Sequence, residues 1–259
     1  MDIGISSACF YPDMVLEDSI KVMKDLGFNI GELFINTISE CEENYILRIK
    51  EECLKNKFNI RSVHFFSAMY EPFLFDNYKR RRQDALKLYK KICKATNLLG
   101  AEIYTFHGMR YRDLKDIDKK LVLDVYNELL YIARENNIYL AQENVSWCMS
   151  SDLDFLRMIR EDVKECIKYT FDIKQSYKAN KNPLEYLDIM GKDLINFHIN
   201  DRSESSLCEL PGKGSVNYNV IFNKLKEINY DKTAIIEVYR DNFKKYEELS
   251  RVCDFLRKF

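Results

Sequence analysis

The stretch Ile103-Tyr104-Thr105-Phe106-His107 is a short β-rich run that ends in a polar residue able to do chemistry. The other two histidines close runs of the same kind, Ser62-Val63-His64 and Ile195-Asn196-Phe197-His198. Three more runs end in a carboxylate: Leu140-Ala141-Gln142-Glu143, Tyr169-Thr170-Phe171-Asp172 and Ile235-Ile236-Glu237. The carboxyl ends of parallel strands form the catalytic face of α/β barrels. The six runs therefore predict polar side chains gathered at one mouth of a barrel.

Strand-like and helix-like patterns alternate along the whole chain. The predicted strands span residues 3–6, 31–35, 61–65, 102–107, 139–144, 169–172, 194–200 and 234–239. Amphipathic segments lie between them, and Gly27, Gly100 and Asn182-Pro183 mark helix boundaries. An open doubly wound sheet is the alternative, but no Gly-x-Gly-x-x-Gly follows the first strand and polar residues end nearly every strand. We therefore expect an α/β fold in which residues 1–259 form a single (β/α)8 TIM barrel domain.

Composition narrows the class of partner. Forty basic residues stand against 41 acidic ones, so the net charge of −1 gives no overall attraction to nucleic acid or to anionic lipid. The eight cysteines contain no Cys-x-x-Cys pair, and no apolar leader or membrane-length apolar stretch is present. We expect a cytoplasmic protein with no nucleic acid or membrane partner. The sequence leaves the oligomeric state open, a homo-oligomer included.

Four of the strand-end residues have the chemistry of metal ligands. Glu143, Asp172, His198 and Glu237 end four consecutive predicted strands, and neighbouring strands lie about 4.8 Å apart. Singly, each could be a helix cap, an ion-pair partner or a buried histidine, but three carboxylates gathered without a cation would repel one another. Oxygen-rich ligation with one imidazole suits Mn²⁺ or Mg²⁺ and tolerates Co²⁺ or Zn²⁺. We predict one divalent ion there, with Mn²⁺ favoured.

Other polar and aromatic residues are predicted around this cluster. His64 and His107 end the third and fourth strands, where they could bind a second ion or contact substrate oxygens. Trp147, just past the fifth strand, is a candidate for the pocket wall. Lys213 lies in the loop Pro211-Gly212-Lys213-Gly214 after the seventh strand, where barrels often bind phosphate. An ordinary tight turn explains these glycines equally well, so phosphate binding stays open.

The order of these motifs resembles the xylose-isomerase-like barrel superfamily, which contains sugar phosphate isomerases and epimerases as well as apurinic endonucleases. The motifs that carry the resemblance are Val63-His64, Phe106-His107-Gly108, Gln142-Glu143-Asn144, Phe171-Asp172, His198-Ile199-Asn200-Asp201, Pro211-Gly212-Lys213-Gly214 and Ile236-Glu237. The resemblance covers the whole chain. It implies a metal-dependent isomerase or epimerase of a sugar, sugar phosphate or keto-inositol. It also implies that Glu143 and Glu237 transfer the proton through an enediolate while binding the metal.

The chain departs from the pattern of these relatives at the substrate side. Gln175 replaces a histidine that usually follows the strand-six aspartate, and Glu204 stands near the place of the arginine typical of ketose epimerases. Arg202 and Lys213 are the candidate replacements for that arginine. We therefore expect a small carbohydrate substrate to be bound by a set of six residues. They are His64, His107, Gln175, Arg202, Lys213 and Trp147.

Three alternatives remain at this level. An apurinic endonuclease would need further zinc ligands, but Ser206 and Cys208 stand in their places and Gln175 removes a third. A dehydratase or lyase of inositol or keto-sugar metabolism would use the same metal chemistry and then expel water. A non-catalytic barrel that binds metal or sugar is the alternative outside enzymes.

Overall fold

The computed structural model describes the backbone of residues 1–259 and every side chain except that of Ser67. Eight parallel strands follow one another around a closed barrel, in which β1 pairs with both β2 and β8. The strands are β1 Asp2–Ser6, β2 Ile30–Ile35, β3 Asn59–Phe65, β4 Ile103–Phe106, β5 Tyr139–Glu143, β6 Lys168–Asp172, β7 Leu194–Ile199 and β8 Thr233–Ile236. The predicted (β/α)8 barrel is confirmed.

Helices cover the outside of the barrel in the described backbone. They are α1 Leu16–Asp25, α2 Glu43–Lys55, α3 Lys79–Leu99, α4 Lys119–Glu135, α5 Leu153–Asp162, α6 Ile173–Lys178, α7 Pro183–Met190, α8 Tyr218–Glu227 and α9 Glu247–Leu256. The predicted boundary signals are confirmed: Gly100 ends α3 with a φ of 83°, and the Asn182 side chain accepts the N–H of Leu184 at the start of α7. Within the described chain, no helix is both long and apolar enough to cross a bilayer.

Four strands end earlier than the sequence pattern predicts: β5 and β7 end one residue early, and for β4 and β8 the structure shows what ends them. β4 ends at Phe106 because the next two backbone N–H groups, those of His107 and Gly108, donate to the carboxylate of Glu71. β8 ends at Ile236 rather than at 239, and the N–H of Tyr239 is accepted by the side chain of Asn242 in a short turn. Both endings release backbone from the sheet at the mouth of the barrel, where the polar side chains lie.

The interior of the barrel contains a polar layer beneath that mouth. Glu32 of β2, Ser62 of β3, Thr105 of β4 and Asn196 of β7 are all fully buried. Barrel interiors are usually filled by branched apolar side chains, so a buried carboxylate at this depth has to be held by specific donors. The apolar core lies mainly between sheet and helices. The polar layer therefore supports the mouth of the barrel from below.

Candidate active site

The four predicted ligands converge at the barrel mouth. Glu143 and Asp172 are the last residues of β5 and β6, His198 is next to last in β7, and Glu237 follows β8. All four are buried, and one ligand atom from each lies within 4.8 Å of the others. Nδ1 of His198 lies 3.4 Å from Oε1 of Glu143, 3.9 Å from Oδ2 of Asp172 and 3.3 Å from Oε2 of Glu237.

The polar layer fixes the orientation of His198. Its Nε2 atom lies 3.1 Å from Oε2 of Glu32. The same oxygen accepts hydrogen bonds from Ser62 at 2.6 Å, Thr105 at 3.0 Å and Asn196 at 3.1 Å. An acceptor on Nε2 places a proton there and turns Nδ1 toward the three carboxylates, as outer partners of metal-binding histidines do. Glu32 therefore orients the imidazole for a ligand at Nδ1.

These residues fit a divalent ion. Among the described residues, Nδ1 of His198 has no hydrogen-bond partner although it is buried. Three carboxylate oxygens and one imidazole nitrogen form the donor set, which suits Mn²⁺, Mg²⁺ or Zn²⁺. Burial raises the pKa of Asp172 to about 6, partly opposed by Lys174 and reinforced by Glu143 and Glu237. The negative charge gathered here thus needs a cation.

Asp172 caps a helix in addition to lying in the candidate ligand set, so the helix-cap role considered for it is present in the structure. Its Oδ1 atom accepts the N–H of Gln175 at 3.4 Å and caps α6, and it accepts a hydrogen bond from Asn200 at 2.9 Å. Asn144 holds the same residue through its backbone, with the N–H of Asp172 donating at 2.7 Å. The second oxygen, Oδ2, faces the ligand cluster. The cap therefore fixes the carboxylate that the metal set uses.

A buried lysine that the sequence analysis missed completes the cluster. Lys174, the second residue of α6, donates from Nζ to Oδ2 of Asp172 and to Oε2 of Glu237. Burial would lower the pKa of Lys174, but the two carboxylates raise it well above its usual value. The pKa of Glu237 is lowered well below its usual value, because Lys174 and His198 outweigh its burial. The sequence carries no signal for this burial, because a charged residue in the first turn of a helix normally faces solvent.

His64 and His107 join the same network. Their Nε2 atoms lie 2.7 Å apart, and Nε2 of His107 lies 2.9 Å from Oε2 of Glu143. Nδ1 of His64 lies 3.4 Å from Oε1 of Glu237. Burial would lower the pKa of His64, but contacts with Glu237 and Glu32 raise it to about 10. Ligand atoms of His64, His107 and Glu143 also lie within 4.8 Å of one another, so a second ion and a substrate contact both stay open.

A pocket of about 350 Å³ opens onto this network. Its polar end consists of His64, His107, Glu143, Lys174, Gln175 and Glu237. Its aromatic walls consist of Tyr11, Phe34, Phe65, Phe66, Trp147 and Tyr239. The ring of Trp147 meets that of His107 edge-on at 5.6 Å, and the Gln175 side chain accepts the N–H of Ser146 at 3.0 Å. The structure thus brings eight predicted site residues together.

The two predicted replacements for the family arginine lie elsewhere, and neither is among the described residues of the pocket lining. The guanidinium carbon of Arg202 stacks 4.0 Å over the ring of Tyr177, and Nζ of Lys213 lies 3.0 Å from Glu248. The pocket lining does not support contact of either residue with the substrate, which stays a prediction. The glycine loop turns away because its N–H groups have another acceptor.

That acceptor is Asp201. Its carboxylate accepts the N–H groups of Gly212 at 3.0 Å, Gly214 at 3.0 Å and Val216 at 2.9 Å. A Cβ atom at Gly214 would overlap the backbone carbonyl of Arg202, which explains the glycine. A loop that already surrounds a carboxylate has these donors occupied and presents a negative charge. The glycines therefore form a tight turn rather than a phosphate cradle.

Comparison with known proteins identifies the family. The model of the xylose isomerase-like TIM barrel family matches residues 20–259, and the chain belongs to this family. An uncharacterised protein of Methanocaldococcus jannaschii is similar in sequence, with 24% identity over all of this chain and 91% of that protein.

Solved structures share the fold. A D-tagatose 3-epimerase-like protein superposes with a TM-score of 0.82 at 21% identity, covering 100% of this chain and 96% of that one. The 3-keto-D-glucoside 4-epimerase of E. coli gives 0.79 at 20% identity, with 100% of both chains covered. The IOLI protein, solved with a zinc atom, gives 0.78 at 16% identity, covering 99% of this chain and 96% of that one. At these identities the likeness concerns the fold alone.

Proposed function

We propose that this protein is a metal-dependent isomerase or epimerase of uncharged sugars that moves a proton next to a carbonyl group. One observation carries the proposal: Glu143 and Glu237 each direct one oxygen to the ligand cluster and the other to the histidine pair on the pocket side. Oε1 of Glu143 and Oε2 of Glu237 face His198, whereas Oε2 of Glu143 and Oε1 of Glu237 face His107 and His64. Two such carboxylates suit removal and return of one proton.

A divalent ion held by Glu143, Asp172, His198 and Glu237 would polarise the sugar carbonyl and its neighbouring hydroxyl. The carboxylate oxygens on the pocket side would take the proton from carbon on one face and return it on the other. Return to the same carbon inverts it, and return to the adjacent carbon interconverts aldose and ketose. His107, 2.9 Å from Glu143, is placed to relay that proton or to contact a sugar oxygen.

The charges around the pocket favour an uncharged substrate. Among the described lining residues, Lys174 is held by two carboxylates and Arg240 lies 2.7 Å from Asp13. A phosphate group would therefore find these cations already paired. The aromatic walls can stack on the C–H faces of a sugar and keep water from the reacting carbon. The names of the two structurally similar epimerases, which refer to tagatose and to a keto-glucoside, agree with a sugar.

Two finer points belong to the same proposal. The oxygen-rich donor set favours Mn²⁺, and the zinc atom in the IOLI protein supports a metal at this barrel mouth without deciding which one. All eight cysteines are free in the described structure, as expected for a protein of the reducing cytoplasm.

Solvent hydrogen exchange tests the proposal. The purified protein with Mn²⁺ is incubated in D2O with a panel of ketoses, keto-inositols and their phosphates, and deuterium in substrate and product is measured. We expect exchange with an uncharged member of the panel. Glu143→Gln and Glu237→Gln should lower exchange by about 10²–10⁴-fold while some metal stays bound. Glu227→Gln, on the outer helix α8, is the matched control.

Two results would contradict the assignment. Exchange at the wild-type rate in both glutamine variants, with metal present, would move the base to a histidine. Two or three zinc atoms per chain together with cleavage of an abasic duplex would favour the endonuclease alternative. Its specific support is the group His64, His107 and Glu143, whose ligand atoms also lie close enough for an ion.

A further inference from the structure

Lys174 contacts the same oxygen atoms that the metal set uses. Its Nζ atom donates to Oδ2 of Asp172 and Oε2 of Glu237, and these two oxygens are 3.9 Å and 3.3 Å from Nδ1 of His198. The lysine is almost completely buried, with 2% of its surface exposed. Two of the four candidate ligand groups are therefore already paired with a cation that belongs to the chain.

A buried ammonium group at this position opposes a divalent ion. Each carboxylate oxygen that it occupies has to be released, or shared with a like charge, when an ion binds nearby. A neutral neighbour would impose no such cost, and a lysine that only stabilised the fold would not need to reach both carboxylates. The ring of Tyr239, 5.8 Å from Nζ, offers no free site for the ammonium, because Nζ of Lys178 already lies 4.8 Å over the same ring.

Building on the proposed metal centre, we propose that Lys174 is an internal cation that competes with the divalent ion for Asp172 and Glu237. In the metal-free protein it holds both carboxylates in place. When the ion binds, the ammonium has to release or share at least one of these carboxylate oxygens. Lys174 thus sets the metal affinity of the site.

Lys174→Met tests this proposal, because methionine keeps an unbranched chain of similar length and removes only the charge and donors. Lys178→Met is the matched control. Lys178 lies on the same helix and bonds the hydroxyl of Tyr239 at 2.8 Å, and in the described structure its Nζ atom forms no ion pair with the ligand carboxylates. Mn²⁺ affinity is measured by calorimetry, and the thermal midpoint of each metal-free protein by circular dichroism.

We expect Lys174→Met to bind Mn²⁺ about tenfold or more tightly than wild type, and to have a lower metal-free thermal midpoint. Lys178→Met should match wild type in both measurements. Equal or weaker Mn²⁺ binding by Lys174→Met would overturn the competition, and a lower midpoint alone would leave Lys174 a purely structural partner.

A second variant covers the case in which Lys174→Met does not fold, and one outcome separates failure of the metal centre from failure of the competition. Lys174→Gln, with a shorter neutral amide that can still donate to one carboxylate, replaces Lys174→Met if the latter does not fold, and it should also bind Mn²⁺ more tightly. If neither wild type nor the Lys174 variants bind Mn²⁺ at millimolar concentration, the proposed metal centre itself fails and the competition with it. If they bind with equal affinity, only the role of Lys174 is refuted.

Discussion

Replacing Glu32 by glutamine should weaken metal binding although Glu32 is not itself one of the four ligands. Its Oε2 atom lies 3.1 Å from Nε2 of His198 and accepts hydrogen bonds from Ser62, Thr105 and Asn196. An amide carries no charge and offers one acceptor oxygen instead of two. The neutral oxygen therefore holds the proton on Nε2 less firmly, and the amide NH2 can donate to Nε2 instead, so Nδ1 of His198 becomes a poorer ligand. Loss of such an outer partner typically lowers metal affinity by about 10–100-fold, or about 1.4–2.8 kcal/mol.

The same change should also destabilise the metal-free protein. Three buried donors lose a charged acceptor, and hydrogen bonds to charged groups contribute about 1.5–3 kcal/mol each, of which the amide oxygen recovers part. We expect the free energy of unfolding to fall by about 3 kcal/mol in total. Urea unfolding of the metal-free protein measures this loss in the free energy of unfolding, and Mn²⁺ calorimetry measures the metal affinity.

Ser62→Ala is the control, because Ser62 bonds Glu32 at 2.6 Å without being a ligand of the cluster. It should lose about 1 kcal/mol of stability and keep its Mn²⁺ affinity within about twofold. Wild-type affinity in Glu32→Gln would refute the orientation of His198 by Glu32. Equal losses of affinity in both variants would point to general loosening of the barrel interior.

Three further predictions concern the site and its supports. Asp172→Ala should not bind the metal, so added Mn²⁺ should no longer raise its thermal midpoint. The free energy of unfolding of wild type should rise by about 2.7 kcal/mol at a Mn²⁺ concentration 100 times the Kd. Equal metal content of the two proteins by mass spectrometry would contradict this prediction. Glu71→Ala should lower the free energy of unfolding by about 3–5 kcal/mol, because the N–H groups of His107 and Gly108 and the Tyr104 hydroxyl lose their acceptor. Glu71→Gln keeps an acceptor oxygen, so chemical unfolding should show less than half of that loss. Lys213→Ala should leave substrate KM unchanged, because its Nζ faces Glu248 at the surface; a large rise in KM would restore Lys213 to the substrate site.

Most of what the sequence could predict about the site came from the polar residues at the ends of the predicted strands. Because the side chains of a parallel barrel's strand ends share one mouth, the runs ending in Glu143, Asp172 and His198 sufficed to predict that these three candidate ligands lie together. The strand limits at 106 and 236 were harder, since each depends on a side-chain acceptor outside the strand. Glu71, for example, reaches the end of β4 from the segment that follows β3.

The pattern of polar strand ends did not predict the positions of residues on helices and loops around the barrel mouth. Lys174 lies on a helix, where a charged residue normally faces solvent, and only its partners across the barrel reveal that it is buried. The loop around Lys213 was interpreted from its glycines, but Asp201, which organises it, precedes the loop by ten residues along the chain and meets it only in the fold. Both cases depend on which long-range partner a side chain or loop contacts, and sequence spacing alone does not determine that partner.

The resident lysine bears on how such a site can fold at all. Burying an unpaired carboxylate costs several kcal/mol, and the mouth of this barrel gathers Glu143, Asp172 and Glu237 above the fourth carboxylate, Glu32. A site balanced by metal alone would be unstable until the ion arrived. Lys174 supplies part of the balancing charge from within the chain and holds Asp172 and Glu237 close to their ligand positions. Under the proposed competition, the barrel would form before the ion binds, and the presence of Lys174 would lower its affinity for that ion.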